Sequence, residues 1–182
     1  MGAEANGEID RFEYNKNRLA GLYEEYFDKI AHYIYVRLRD LNEAENLAGE
    51  VFVKALKSLG SYQERGVPMQ AWLFKIARNL IVDYSRKAAK QKTVPIDDLQ
   101  VIGEDNPQAA AEKKIELERV KKAMEYLTKD QKEVINLRFF GGLSSKEAGQ
   151  ILKKSDGAIR EMQRSAIEKL RRLLTANDIV SG

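Results

Sequence analysis

Between Leu143 and Leu174 the residues leave room for little except two short helices joined by a tight turn. Ser144 can cap the first helix while Glu147, three residues on, reaches back to the N–H of the cap, a reciprocal arrangement that sets where the helix starts. Ala148, Ile151 and Leu152 then share one side. Ser155, Asp156 and Gly157 interrupt the pattern with residues that bond or bend the backbone locally, so a second helix begins at a new angle. Its apolar positions, Ile159, Met162, Ala166, Leu170 and Leu173, make one buried stripe. The opposite face carries Arg160, Glu161, Arg164, Glu168, Arg171 and Arg172. A helix-turn-helix with such a second helix has the shape to enter a DNA major groove, where arginine reads guanine edges. Many charged helix faces are merely solvated, so the pattern alone leaves both readings open.

Composition narrows the field. The chain of 182 residues can hold one large domain or two small ones. It has three prolines, 43% hydrophobic residues and 32% charged residues, which describes an ordered, mostly helical protein. With no cysteine, disulfides and thiolate metal sites are excluded. With one histidine, His32, a His-based metal cluster or catalytic triad is not expected, and neither is a cofactor. No apolar run has the length of a membrane span and no signal-peptide plan is present, so a cytoplasmic protein is expected. The net charge of +3 is small, but its distribution is informative. Residues 1–28 hold seven acidic groups against three basic, whereas 75–92 hold six basic against one acidic and 143–174 hold eight against four. Two basic patches separated by a polar tract suggest two contacts with one polyanion.

Taken in order, residues 1–14 are polar and expected to fray. Leu19, Leu22, Tyr23, Tyr26, Phe27, Ile30, Ile34 and Leu38 then predict a long helix from about Arg18 to Leu41, with His32 in a partly buried structural role. Asn42 offers a cap with Glu45 for a second helix through Leu47, Ala48, Val51, Phe52, Ala55, Leu56 and Leu59. Gly49 inside it costs about 1 kcal/mol relative to alanine, or marks the close approach of a partner. Gly60 to Val67 is a loop, and Pro68 opens a third helix. That helix turns Trp72, Leu73, Ile76, Ala77, Leu80 and Tyr84 inward and Lys75, Arg78, Asn79, Asp83 and Arg86 outward. An aromatic loop beside a basic helix suits single-stranded nucleic acid, with Tyr62 the better stacking candidate and Trp72 a core residue. From Ala88 to Ala111 the pattern dissolves into a linker. A fourth helix, roughly Pro107 to Leu127, carries Ala111, Ile115, Val120, Ala123 and Leu127, and Thr128 with Gln131 makes a further capping pair.

The segments Glu43-Ala-Glu-Asn-Leu-Ala-Gly-Glu-Val-Phe52, Ala71-Trp-Leu-Phe-Lys-Ile-Ala-Arg-Asn79, Leu127-Thr-Lys-Asp-Gln131, Gly142-Leu-Ser-Ser-Lys-Glu147 and Gly157-Ala-Ile-Arg160, in that order, resemble bacterial sigma factors. The pattern is similar to the extracytoplasmic-function subgroup of the sigma-70 family, which retains only regions 2 and 4. The resemblance implies an all-α fold of two small helical domains joined by a flexible linker: a disordered N-terminus at 1–14, region 2 at 15–88, a linker at 89–111 and region 4 with its helix-turn-helix at 112–176. It implies RNA polymerase core as partner, through the beta-prime coiled coil and the beta flap, with Glu43, Asn46, Leu47, Glu50 and Phe52 as the docking set. Tyr62, Gln63, Arg65, Lys75, Arg78, Asn79, Asp83 and Arg86 would capture the melted −10 element of promoter DNA. Lys146, Ser155, Arg160, Glu161 and Arg164 would read the −35 element as duplex. An anti-sigma factor is the further partner implied. The chain departs from the family pattern at Asn46 (usually aspartate), Gly49 (glutamine), Gly149 (alanine), Lys153 (glycine) and Ala158 (threonine). A stand-alone helix-turn-helix regulator is the alternative, but it leaves the second basic patch without a duty. No residues stand at catalytic spacing and no phosphate loop or zinc motif is present, so an enzyme is not expected.

Overall fold

The computed structural model describes residues 2–64, 66–91 and 107–180, and every regular element among them is helical. The elements are α1 (Gly2–Leu38), α2 (Leu41–Lys57), a 3₁₀ turn (Leu59–Ser61), α3 (Met69–Gln91), α4 (Pro107–Glu125), α5 (Lys129–Ile135), a π-helical turn (Asn136–Phe140), α6 (Ser145–Leu152) and α7 (Asp156–Val180).

The first surprise is the start of the chain. Residues 2–14, expected to fray, continue α1. Tertiary anchors explain the difference: Asn15 and Leu19 are buried, and Arg11 donates to the carbonyl of Tyr62 at 3.0 Å. The helix stops at Leu38 because Arg39 takes a left-handed conformation (φ 57°). Asp40 is then extended, and its Oδ1 accepts from the N–H of Glu43 at 3.0 Å. The cap of α2 is therefore Asp40, not Asn42; both offer the same spacing to glutamate, and the end of α1 decides between them. Pro68 precedes α3, and its carbonyl accepts from Trp72 N–H at 3.1 Å.

Helices α1, α2 and α3 bury Ile30, Tyr33, Ile34, Val51, Leu73 and Phe74. In the second half, the Thr128–Gln131 and Ser144–Glu147 capping boxes both form. The apolar stripe expected along α4 is buried only at its end: Ala123 and Leu127 are covered, whereas Ile115 and Val120 remain exposed. Leu127, Ile135 and Ala166 form a small core of their own with Met124, Ile167 and Leu170.

The two halves do not stay apart. Val134, Leu137, Leu143, Ala148, Ile151 and Ile159 join the same hydrophobic core as α1 to α3. A Cβ on Gly141 would lie 2.6 Å from the Leu137 carbonyl and 3.0 Å from the Phe74 ring, so glycine permits a close approach of the two regions here. Around this contact Gln70 donates to Glu147 at 2.7 Å, Gln150 donates to the carbonyl of Gly66, and His32 stacks on Phe140 with centroids 4.7 Å apart. Burial holds the His32 imidazole below its ordinary pKa. Glu133 receives the Tyr33 hydroxyl at 2.7 Å and the Arg37 guanidinium, with Arg78 3.6 Å away.

The turn of the helix-turn-helix shows why its unusual residues behave differently from one another. Lys153 caps α6 in the left-handed region (φ 55°, ψ 45°), where a side chain is strained. Gly149 is indispensable: a Cβ there would lie 2.6 Å from the Lys154 carbonyl, so the alanine common in the family does not fit this backbone. Two opposite outcomes are expected in urea unfolding. Lys153→Gly gains about 1 kcal/mol by relieving the left-handed strain. Gly149→Ala loses about 1–2 kcal/mol despite alanine's better helix propensity, because overpacking against backbone outweighs it.

Candidate nucleic-acid interface

A cleft of about 620 Å³ opens between the 3₁₀ turn, the segment that follows it, and α3. It falls within the range of roughly 300–1,000 Å³ typical of small-molecule pockets. Tyr62, Gln63, Trp72, Lys75, Asn79 and Asp83 line it. Residues 75, 79 and 83 recur every fourth position, so the helix itself sets a polar rail along one wall. The aromatic floor is arranged differently from the sequence expectation. Tyr62 is only 6% exposed, its ring lies 4.8 Å from that of Trp72, and its hydroxyl donates to the Val67 carbonyl at 3.1 Å. It is therefore an anchor of the loop and not a free stacking face, and burial raises its phenol pKa. Trp72, expected in the core, is half-buried and presents its remaining surface to the cleft.

The remaining members of the predicted set scatter. Arg78 points toward Glu133 on the side of α3 that faces α5, away from Lys75 and Asn79. Arg86 is exposed and sits 3.7 Å from Asp83. Arg65 lies outside the described residues.

A second basic surface is built on α7. A groove of about 420 Å³ is lined by Arg138, Arg160, Gln163, Arg164 and Arg171 together with Ser145, Ile167 and Glu168. Arg160 pairs with Asp156 at 2.8 Å, and Arg164 pairs with Glu161 at 2.7 Å and Glu168 at 3.0 Å. The Arg164 bond holds the Glu161 carboxyl below its ordinary pKa and the same bond raises that of Arg164. Ser155 spends its Oγ on the Ala158 N–H at 3.1 Å, which makes it the cap that starts α7. Lys146 is exposed on α6. Arg138 and Gln163 were missed as members of this surface, whereas Arg171 falls on the outward face that the sequence assigns to this helix. Arg138 donates to Gln163 at 2.8 Å and to the Leu143 carbonyl, so it comes from the π-helical turn, and no linear spacing relates it to α7.

The third surface is the outer face of α2. Glu43, Asn46 and Glu50 are at least partly accessible, and Glu50 pairs with Lys54 at 3.4 Å. Leu47 and Phe52 are buried, with Phe52 packed edge-on to Tyr23 at 5.0 Å, so neither can meet a partner without unfolding. Val53 and Leu56, half exposed, supply the accessible apolar area of this helix instead; Leu56 was expected on the inner face.

Sigma-70 region 2 matches residues 22–91 and Sigma-70 region 4 matches residues 123–172. ShbA, an extracytoplasmic-function (ECF) RNA polymerase sigma factor of Streptomyces griseus, is 34% identical over 134 residues, 71% of this chain and 70% of its own length. The chain belongs to the ECF subgroup of sigma-70 sigma factors. BldN of Streptomyces coelicolor, another ECF sigma factor, is 32% identical over 170 residues, and the match covers 92% of this chain and 62% of BldN. The fold is similar to that of Bartonella quintana RpoE in complex with the anti-sigma factor NepR, with a TM-score of 0.65 at 24% identity over 86% of this chain and 96% of that one. A sigma factor is a subunit and not an enzyme in its own right. Among the described residues no helix of this sigma factor is long and apolar enough to cross a membrane.

On the α2 face of the sigma factor, Gly49 is surrounded by open space, with nothing within 4 Å of an added Cβ. Gly49→Ala is expected to raise stability by about 0.5–1 kcal/mol in urea unfolding, as for a helix-interior glycine that packs against nothing.

Proposed function

We propose that this sigma factor holds promoter DNA in two states at two places, paired on α7 and unpaired in the cleft beside α3. The observation that carries the proposal is the difference in lining between its two basic surfaces. One is a cleft whose walls include the rings of Tyr62 and Trp72; the other is a smaller groove along α7 lined by Arg138, Arg160, Arg164 and Arg171 with no aromatic ring. The regions proposed are 15–88 and 112–176, joined by 89–111, of which 89–91 end α3 and 107–111 begin α4.

Magnitudes favour this division. Pulling a base from the stack costs a few kcal/mol, and stacking on an aromatic face returns about 1–3 kcal/mol per base. A pocket that also offers Lys75, Asn79 and Asp83 can cover the difference. On α7 the arginines are held by exposed intrahelical pairs that water and salt screen. A bidentate arginine contact to guanine contributes about 1–3 kcal/mol, so DNA outcompetes the resting partners. Glu43, Asn46, Glu50, Val53 and Leu56 are proposed to meet the beta-prime coiled coil of polymerase core, and region 4 the beta flap. The complex of RpoE with NepR supports an anti-sigma factor as a further partner of this chain.

Run-off transcription with purified core polymerase over a promoter library tests the proposal; no initiation at new start points in the presence of the sigma factor would sink it. Arg160→Ala is expected to lower transcription at −35-dependent promoters about 10-fold, equivalent to the loss of one good base contact, without weakening association with core. Asn79→Ala is expected to reduce permanganate reactivity of the melted strand while closed-complex formation, read by gel shift, is unchanged.

A further inference from the structure

The amino-terminal half of α1 does more than extend a helix. Arg11 donates through Nη2 to the Tyr62 carbonyl at 3.0 Å, and Arg18 donates through Nη1 to Glu64 Oε2 at 2.7 Å. Tyr62 and Gln63 line the cleft and Glu64 follows them immediately. From the opposite side the same loop is held by the Tyr62 hydroxyl on Val67 and by Trp72 against the Tyr62 ring. The segment 62–64 has no helix or strand of its own, so its position depends on these grips from α1, from Val67 and from Trp72 of α3.

We infer that Arg11 and Arg18 are positioning residues for capture of the melted DNA strand, acting by holding the loop that forms one wall of the cleft. The inference rests on the assignment of that cleft to unpaired DNA. Arg18 has a second effect. Glu64 places a carboxylate beside a cleft proposed to take a polyanion, and its charge would repel phosphate. Arg18, at 29% side-chain exposure, stands against it and cancels that charge locally. The bond holds the Glu64 carboxyl below its ordinary pKa, so the pair persists through neutral pH. The two arginines belong to α1 and bear no sequence relation to the loop, 51 and 46 residues away.

The test uses holoenzyme assembled from core polymerase and full-length sigma factor, with a fluorescent single-stranded −10 oligonucleotide for capture and a −35 duplex as control. Arg11→Ala with Arg18→Ala is expected to weaken capture about 10-fold with core affinity and −35 duplex binding unchanged. Exchange of the pair, Arg18→Glu with Glu64→Arg, is expected to restore capture to within about 3-fold of the parent, whereas Arg18→Glu alone is expected to weaken capture more than Arg18→Ala. Capture at the parental level by the double alanine variant overturns the inference. So does an equal loss of capture, core affinity and −35 binding, which would mean general damage. Lys75→Ala with Asn79→Ala separates the two levels of the argument. If these cleft variants lose capture and the arginine variants do not, only the positioning role fails; if neither set loses capture, the cleft assignment falls and the positioning role falls with it.

Discussion

A mostly buried carboxylate fixes how the two halves of this sigma factor meet. Glu133, at 15% side-chain exposure, belongs to α5, but the groups it satisfies, Tyr33, Arg37 and Arg78, come from α1 and α3. A carboxylate withdrawn from water is costly unless its lone pairs are filled. Here they are filled only when α5 lies against α1 and α3. Tyr33 responds in turn: it is fully buried, and burial raises its phenol pKa far above the usual range, so it remains a donor at any ordinary pH. Apolar burial supplies most of the attraction between the regions, whereas Glu133 sets their register, since an apolar face tolerates sliding and a mostly buried carboxylate hydrogen-bonded to Tyr33 and Arg37 does not.

This docking affects the surfaces on either side of it. Gly141, just past the π-helical turn, meets Phe74 of α3, and the turn itself delivers Arg138 to the groove beside α7. Arg78 is drawn to Glu133 and leaves Lys75, Asn79 and Asp83 as the polar wall of the cleft. The two basic surfaces are thus held in different ways. On α7 the charges rest in exposed pairs that exchange partners readily. Around the cleft the walls are fixed by buried rings and directed bonds, as expected for a site that must accept a base without first rearranging.

Local chemistry was legible in the sequence wherever the competing choices lay within a few residues of each other. The capping boxes at Thr128 and Ser144 and the periodic stripe of α7 rest on i to i+3 or i+4 relations, which need no knowledge of the rest of the molecule. Failures occurred where two local solutions were equivalent or where a distant element intervened. Asp40 and Asn42 offer the same cap, and only the end of α1 separates them. Tyr62 lies in a loop, yet Trp72 and Val67 bury it. Leu47 and Phe52 fall within a family docking motif, but the three-helix core claims them, and Val53 and Leu56 are left outside.

The order of the helices, the two-region plan, the family and the approximate location of both basic surfaces are properties of the linear sequence, because helical periodicity, capping and charge clustering act over a turn or two of backbone. Which side chains of those surfaces are free, how residues 2–14 come to be helical, and that the regions share one core are decided only by tertiary structure. All depend on contacts beyond one helix turn, some between groups as far apart in sequence as Arg18 and Glu64 or Tyr33 and Glu133. No pattern within a single helix encodes which distant partner will satisfy a charge or cover a ring.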